Sequence, residues 1–86
     1  MSQVVIFEPG YDHGTAYKGV PQRSIGIVKG TKLDPNYIVV DLLFPTSLPS
    51  VIIYRTRLTF LPLTSSNITN IHSFDDFQQA YPEYFI

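Results

Sequence analysis

A chain of 86 residues has room for one domain, and 44% hydrophobic with 14% aromatic residues can give that domain a dense core. The absence of cysteine excludes a disulfide framework and a thiolate metal site. A net charge of −1 and a pI near 6.0 argue against a dedicated nucleic-acid binder. Charged residues make up only 15%, against a usual share of about 25%. That leaves apolar surface to be covered, which favours a homo-oligomer or a subunit of an assembly. The N-terminal residues have no basic region followed by an apolar stretch, and no apolar run approaches the ~20 residues of a membrane span. The expectation is a soluble, cytoplasmic protein with no membrane contact.

In chain order, residues 3–7 form an expected first strand, stopped at Pro9 and Gly10. Residues 8–22 are expected to form a long loop holding Gly10, Gly14 and Gly19, with Tyr11, His13, Tyr17 and Lys18 inside it. Loops of that length are uncommon in small domains unless they are functional. Residues 23–29 predict a second strand, in which Gly26 marks a bulge or sharp bend. Asp34-Pro35-Asn36 is turn chemistry before the longest strand, residues 37–44. Strict alternation there places Ile38, Val40, Leu42 and Phe44 on one face, and Tyr37, Val39, Asp41 and Leu43 on the other. Both faces are largely apolar, which predicts a central strand covered on both sides.

Residues 51–55 predict a fourth strand, and residues 57–61 a turn with a final strand that Pro62 closes. Short connections make the middle strands antiparallel neighbours, since a parallel return needs a dozen or more residues. Residues 62–72 read as a polar linker. Ser73 followed by Asp76 is a capping pattern for a helix over 73–81, with Phe74, Phe77 and Tyr81 on one face and Pro82 ending it. So short a helix needs tertiary packing to persist. The acidic and aromatic tail, residues 82–86, is expected to fold back on the sheet. The whole chain reads as a single domain, 3–61 carrying the sheet.

Gly26-Ile-Val-Lys-Gly30, Tyr37-Ile-Val-Val-Asp41 and the strand with a short closing turn at Val51 to Leu61, after a long first loop, resemble the SH3-like small barrel. The likeness covers about residues 3–61. It implies a mainly β fold: a five-stranded SH3-like barrel or a partly open antiparallel sheet, with one short C-terminal helix added. The superfold hosts peptide binders, nucleic-acid binders and subunits of complexes, so it carries over no functional residue. Gly19-Val-Pro-Gln-Arg23 also resembles the first loop of toxin endoribonucleases of the MazF type, although their Arg-Pro step into the strand is missing. That likeness implies RNA cleavage, with His13 and Arg23 as the residues to test.

No catalytic, cofactor or metal motif stands out. Asp12-His13 offers a titratable pair, but adjacent side chains rarely converge on one atom. His72 precedes the expected helix and reads as a solvent-facing residue. All six Lys and Arg lie between Lys18 and Arg57, with only Asp34 and Asp41 among them, while both ends of the chain are acidic. Arg55 and Arg57, read as an extended segment, project to one side. With Lys29, Lys32 and Tyr54 they suggest a charged, aromatic surface, extended by Tyr17, Lys18 and Arg23. These eight residues are the expected partner-binding set. The first reading is a non-enzymatic module acting through a protein partner, as an accessory subunit, small regulator or inhibitor. The second is nucleic-acid binding through residues 18–57.

Overall fold

The computed structural model describes residues 2–8, 23–31 and 34–85. Five antiparallel strands form one sheet: β1 (Gln3–Phe7), β2 (Ser24–Thr31), β3 (Tyr37–Phe44), β4 (Leu48–Tyr54) and β5 (Leu58–Thr64). Their spatial order is β4-β3-β2-β1-β5. β2, β3 and β4 make the expected meander, and β5 returns to pair with β1. The sheet does not close between β4 and β5, so the partly open sheet is the form adopted. One short helix, α1 (Phe74–Ala80), follows.

Both edge strands run past the boundaries expected from their prolines. Pro49 lies inside β4 and Pro62 inside β5. Each sits in an interval where the pairing register shifts. For Pro49 this lies between Leu42↔Leu48 and Val40↔Val51, and for Pro62 between Gln3↔Thr64 and Val5↔Phe60. A proline there removes no regular ladder hydrogen bond, and at a sheet edge its missing N–H is tolerated. Gln3 Nε2 reaches the Leu61 carbonyl at 3.3 Å in the second interval. Ser50 has φ 55°, the left-handed conformation of a bulged strand, and its N–H donates to Asp41 Oδ1 at 2.8 Å.

Bulges also redistribute the core into two layers. Ile25 pairs with Phe44 but Gly26 with Leu42, which leaves Leu43 as an extra residue in β3. Ile38, Val40 and Leu42 join Val5, Phe7, Ile53 and Leu58 in one layer. Phe44 is turned into the other, with Val4, Ile6, Ile25, Leu61, Ile68 and Phe77. The strict alternation expected of β3 therefore fails at its last residue, because one inserted residue reverses the facing of the next. The strand buried on both faces is β1, whose residues Val4 to Phe7 are at most 4% exposed. β3, expected in that role, keeps Tyr37, Val39, Asp41 and Leu43 only half-buried.

The second layer is completed from the C-terminal end. Residues 62–64 belong to β5, and Ser65–Ile68 makes a 3-10 turn that buries Ile68. Thr64 and Asn67 cap that turn reciprocally. Ser73 caps α1 as expected, accepting from the Asp76 N–H at 3.1 Å. Phe77 is fully buried, 6.2 Å from the Phe44 ring between centroids. Pro82–Phe85 forms a further 3-10 turn and returns Phe85 against Phe74 and Phe77, at centroid distances of 5.3 and 5.9 Å. The tail folds back and belongs to the core's second layer.

Candidate partner-binding face

The layer completed by α1 and the tail takes in residues of β1, β2 and β5 and the end of β3, Leu43 and Phe44, but among the described residues none of β4. Alternation brings Tyr37 and Val39 from β3 and Ile52 and Tyr54 from β4 onto one face, paired directly across the strands as Tyr37↔Tyr54 and Val39↔Ile52. Ile52 is 45% exposed and Tyr54 37% exposed, the large hydrophobic residues most open to solvent among those described. The two tyrosine rings lie 4.6 Å apart between centroids, tilted by 31°, and Tyr37 Oη donates to Tyr54 Oη at 2.9 Å. Cross-strand aromatic pairing holds the rings in place, so the face is ordered before anything binds.

Polar residues border the apolar patch. Lys29 is the extra residue where β2 shifts register against β3, between Val28↔Val40 and Gly30↔Val39. Its Nζ donates to Ser50 Oγ at 2.9 Å, and the Ser50 N–H is held by Asp41. A cation, a hydroxyl and a carboxylate thus fringe a hydrophobic centre, the arrangement of a small interface with a polar rim.

Five of the eight expected residues are described: Arg23, Lys29, Tyr54, Arg55 and Arg57. Tyr17, Lys18 and Lys32 lie outside the described residues, as does His13. Arg23 stands before β2 with φ 57° and pairs with Glu8, Nε to Oε1 at 3.4 Å, both side chains about half exposed. Arg55–Arg57 is a 3-10 turn and not an extended segment, so the expected shared projection of Arg55 and Arg57 is corrected. At about three residues per turn, positions two apart point in different directions. Arg55 reaches the Pro35 carbonyl at 3.4 Å and lies 5.6 Å from the centre of the Phe60 ring. Arg57 is half-buried, and its carbonyl accepts from the Glu8 N–H at 3.0 Å. Of the described members of the expected set, Lys29 borders the β3–β4 face at Ser50 and Tyr54 lies on it opposite Tyr37.

Val39, Ile52, Asp41 and Ser50 were not in that set. Alternation in β3 and β4 was the available signal, since it placed Val39 and Asp41 opposite the buried residues. A separate hollow of about 290 Å³ is lined by Phe44, Pro45, His72, Ser73, Phe74 and Asp75. No cluster of three or more His, Cys, Asp or Glu suited to a metal ion occurs among the described residues. No helix among the described residues is long and apolar enough to cross a membrane. Comparison with protein-family models, curated proteins and solved structures returns no match for this chain.

Proposed function

We propose that the protein is a non-enzymatic binding module that acts by docking a protein partner, as an accessory subunit or small regulator. The observation that carries this reading is the apolar and aromatic face of Tyr37, Val39, Ile52 and Tyr54 on β3 and β4, on which Ile52 and Tyr54 are exposed. Aromatic and aliphatic anchors in the centre of an interface supply most of its binding energy, and a polar fringe supplies register. The partner it fits presents a small hydrophobic ridge.

The nucleic-acid reading is weaker on this geometry. Of the described cations, Arg23 is engaged with Glu8 and Lys29 with Ser50. The test is affinity capture from the native host with the wild-type chain and with Val39→Glu and Ile52→Glu, each first shown to be folded. A protein retained by the wild type and lost from both variants is the expected result. Equal retention by all three baits, or none by the wild type, would remove the reading.

A further inference from the structure

The hollow of about 290 Å³ lies where the end of β3 meets the approach to α1, and it shares no lining residue with the Val39–Ile52 face. Its walls are Phe44, Pro45, His72, Ser73, Phe74 and Asp75, all of them described residues. Two phenyl rings and a prolyl ring make the apolar part, and the core holds both phenyl rings. Phe44 packs on Phe77 at 6.2 Å between centroids, and Phe74 meets Phe85 edge to face at 5.3 Å. These walls are in place before anything enters, which lowers the cost of binding.

The polar side of the hollow selects charge. Asp75 is exposed, and among the described residues no hydrogen bond or ion pair engages its carboxylate. Asp76 follows it and Glu83 lies beyond α1, while no Lys or Arg occurs after Arg57. An unpaired carboxylate in an acidic segment attracts a cation and repels an anion. The first turn of α1 offers an anion little in return, because the Asp76 N–H already donates to Ser73 Oγ at 3.1 Å.

Size and shape narrow the cation. The volume sits at the bottom of the roughly 300–1,000 Å³ range of small-molecule pockets and suits one long side chain. A bare metal ion would lack ligands, since no cluster of three or more candidate groups occurs among the described residues. A long basic side chain lays its methylene stem on apolar surface and keeps its charged end at a polar rim. Arg suits these walls better than Lys, because a flat guanidinium stacks on rings and meets a carboxylate with two parallel N–H bonds.

We propose that this hollow is a pocket for an arginine side chain of a protein partner, with the stem against Phe44, Pro45 and Phe74 and the guanidinium on the Asp75 carboxylate. The kind of partner rests on the docking reading above, and the site rests on its own geometry. The test is amide NMR of the full chain at physiological salt, titrated with N-acetyl-arginine methylamide and, separately, with N-acetyl-norleucine methylamide, which keeps an apolar stem without the charge. The expected result is saturable, millimolar binding of the arginine compound that shifts the Ser73, Phe74 and Asp75 amides, and no saturable shift with the norleucine compound. Asp75→Asn is expected to weaken binding by about threefold to fivefold, the worth of one exposed ion pair. Asp76→Asn removes the same charge from the same turn outside the lining, and with salt screening it is expected to change binding by less than about 1.5-fold. If Asp75→Asn does not fold, the contrast between the two compounds on the wild type decides. Ile52→Glu, which disables the docking face, is expected to bind the arginine compound as the wild type does, so the two readings fail separately. No saturable shift at the hollow, equal binding of the norleucine compound, or equal losses in Asp75→Asn and Asp76→Asn overturns the proposal.

Discussion

A methyl group built on Gly26 would lie 2.7 Å from the Asp41 carbonyl oxygen and 2.8 Å from Val40 Cγ1. The glycine is there because β3 crosses too closely for any side chain, the reason a glycine in a strand often marks close backbone approach. Gly26→Ala is expected to destabilise the protein by about 1–3 kcal/mol, the usual cost of overpacking. A methyl on Gly30 meets nothing within 4 Å, and Gly30→Ala should shift stability by no more than about 0.5 kcal/mol. Urea midpoints of the two variants check the contrast. Asp41 acts at the same scale: its carboxylate holds the N–H of the bulged Ser50. Asp41→Ala is expected to cost about 1 kcal/mol, the net worth of an ordinary hydrogen bond, since the site is half-exposed.

α1 has seven residues, too few to be stable as an isolated helix, so its existence depends on what it buries. Phe77 is its anchor, fully buried and in ring contact with Phe44, Tyr81 and Phe85. Phe77→Ala is expected to cost about 3–5 kcal/mol, most of the stability of a domain this small. Gln78 is exposed, and Gln78→Ala should change stability by no more than about 0.5 kcal/mol. Ser73→Ala loses the cap on the Asp76 N–H and is expected to cost about 1 kcal/mol. Thermal melts of the three variants should therefore rank Phe77→Ala far below Ser73→Ala, with Gln78→Ala at the wild-type midpoint. A Phe77→Ala protein that melts like wild type would contradict the packing of α1 and the tail on the sheet.

At the scale of the molecule, the C-terminal segment completes one of the two core layers, and Ile52 and Tyr54 of β4 stay exposed. Ile68, Phe77, Phe85 and Tyr81 pack with residues of β1, β2 and β5 and with Leu43 and Phe44 of β3, while among the described residues none of β4 joins that layer. The exposure of Ile52 and Tyr54 is what the proposed docking on the Val39–Ile52 face rests on. Two of the described cations are already engaged, Arg23 by Glu8 and Arg55 by Pro35 and Phe60. Gel shifts at low salt with single- and double-stranded DNA and RNA are expected to show no discrete complex. A complex that weakens steeply with salt, the signature of counterion release, would reverse the choice between protein and nucleic acid.

The number and order of the strands and the one α-helix were set locally and could be read from the chain, while the 3-10 turns could not. Period-two runs bounded by turn residues mark β1 to β4, and Ser73, Asp76 and Pro82 mark α1, because alternation, capping and a proline stop depend only on near neighbours. The packing layers were decided in three dimensions. Whether Leu43 is an extra residue in β3, and hence which way Phe44 faces, depends on the strand it pairs with. Pro49 and Pro62 looked like strand boundaries, and only the sheet order, which puts both at edges within register shifts, lets them stay inside strands. Arg55 and Arg57 could be read as extended neighbours until the chain's passage from β4 to β5 required a 3-10 turn. The binding face depends on the same cause. Val39 and Ile52 could be assigned to a strand face from sequence, but their exposure is set by where the C-terminal segment packs. That packing joins residues far apart in the chain and leaves no local pattern to read.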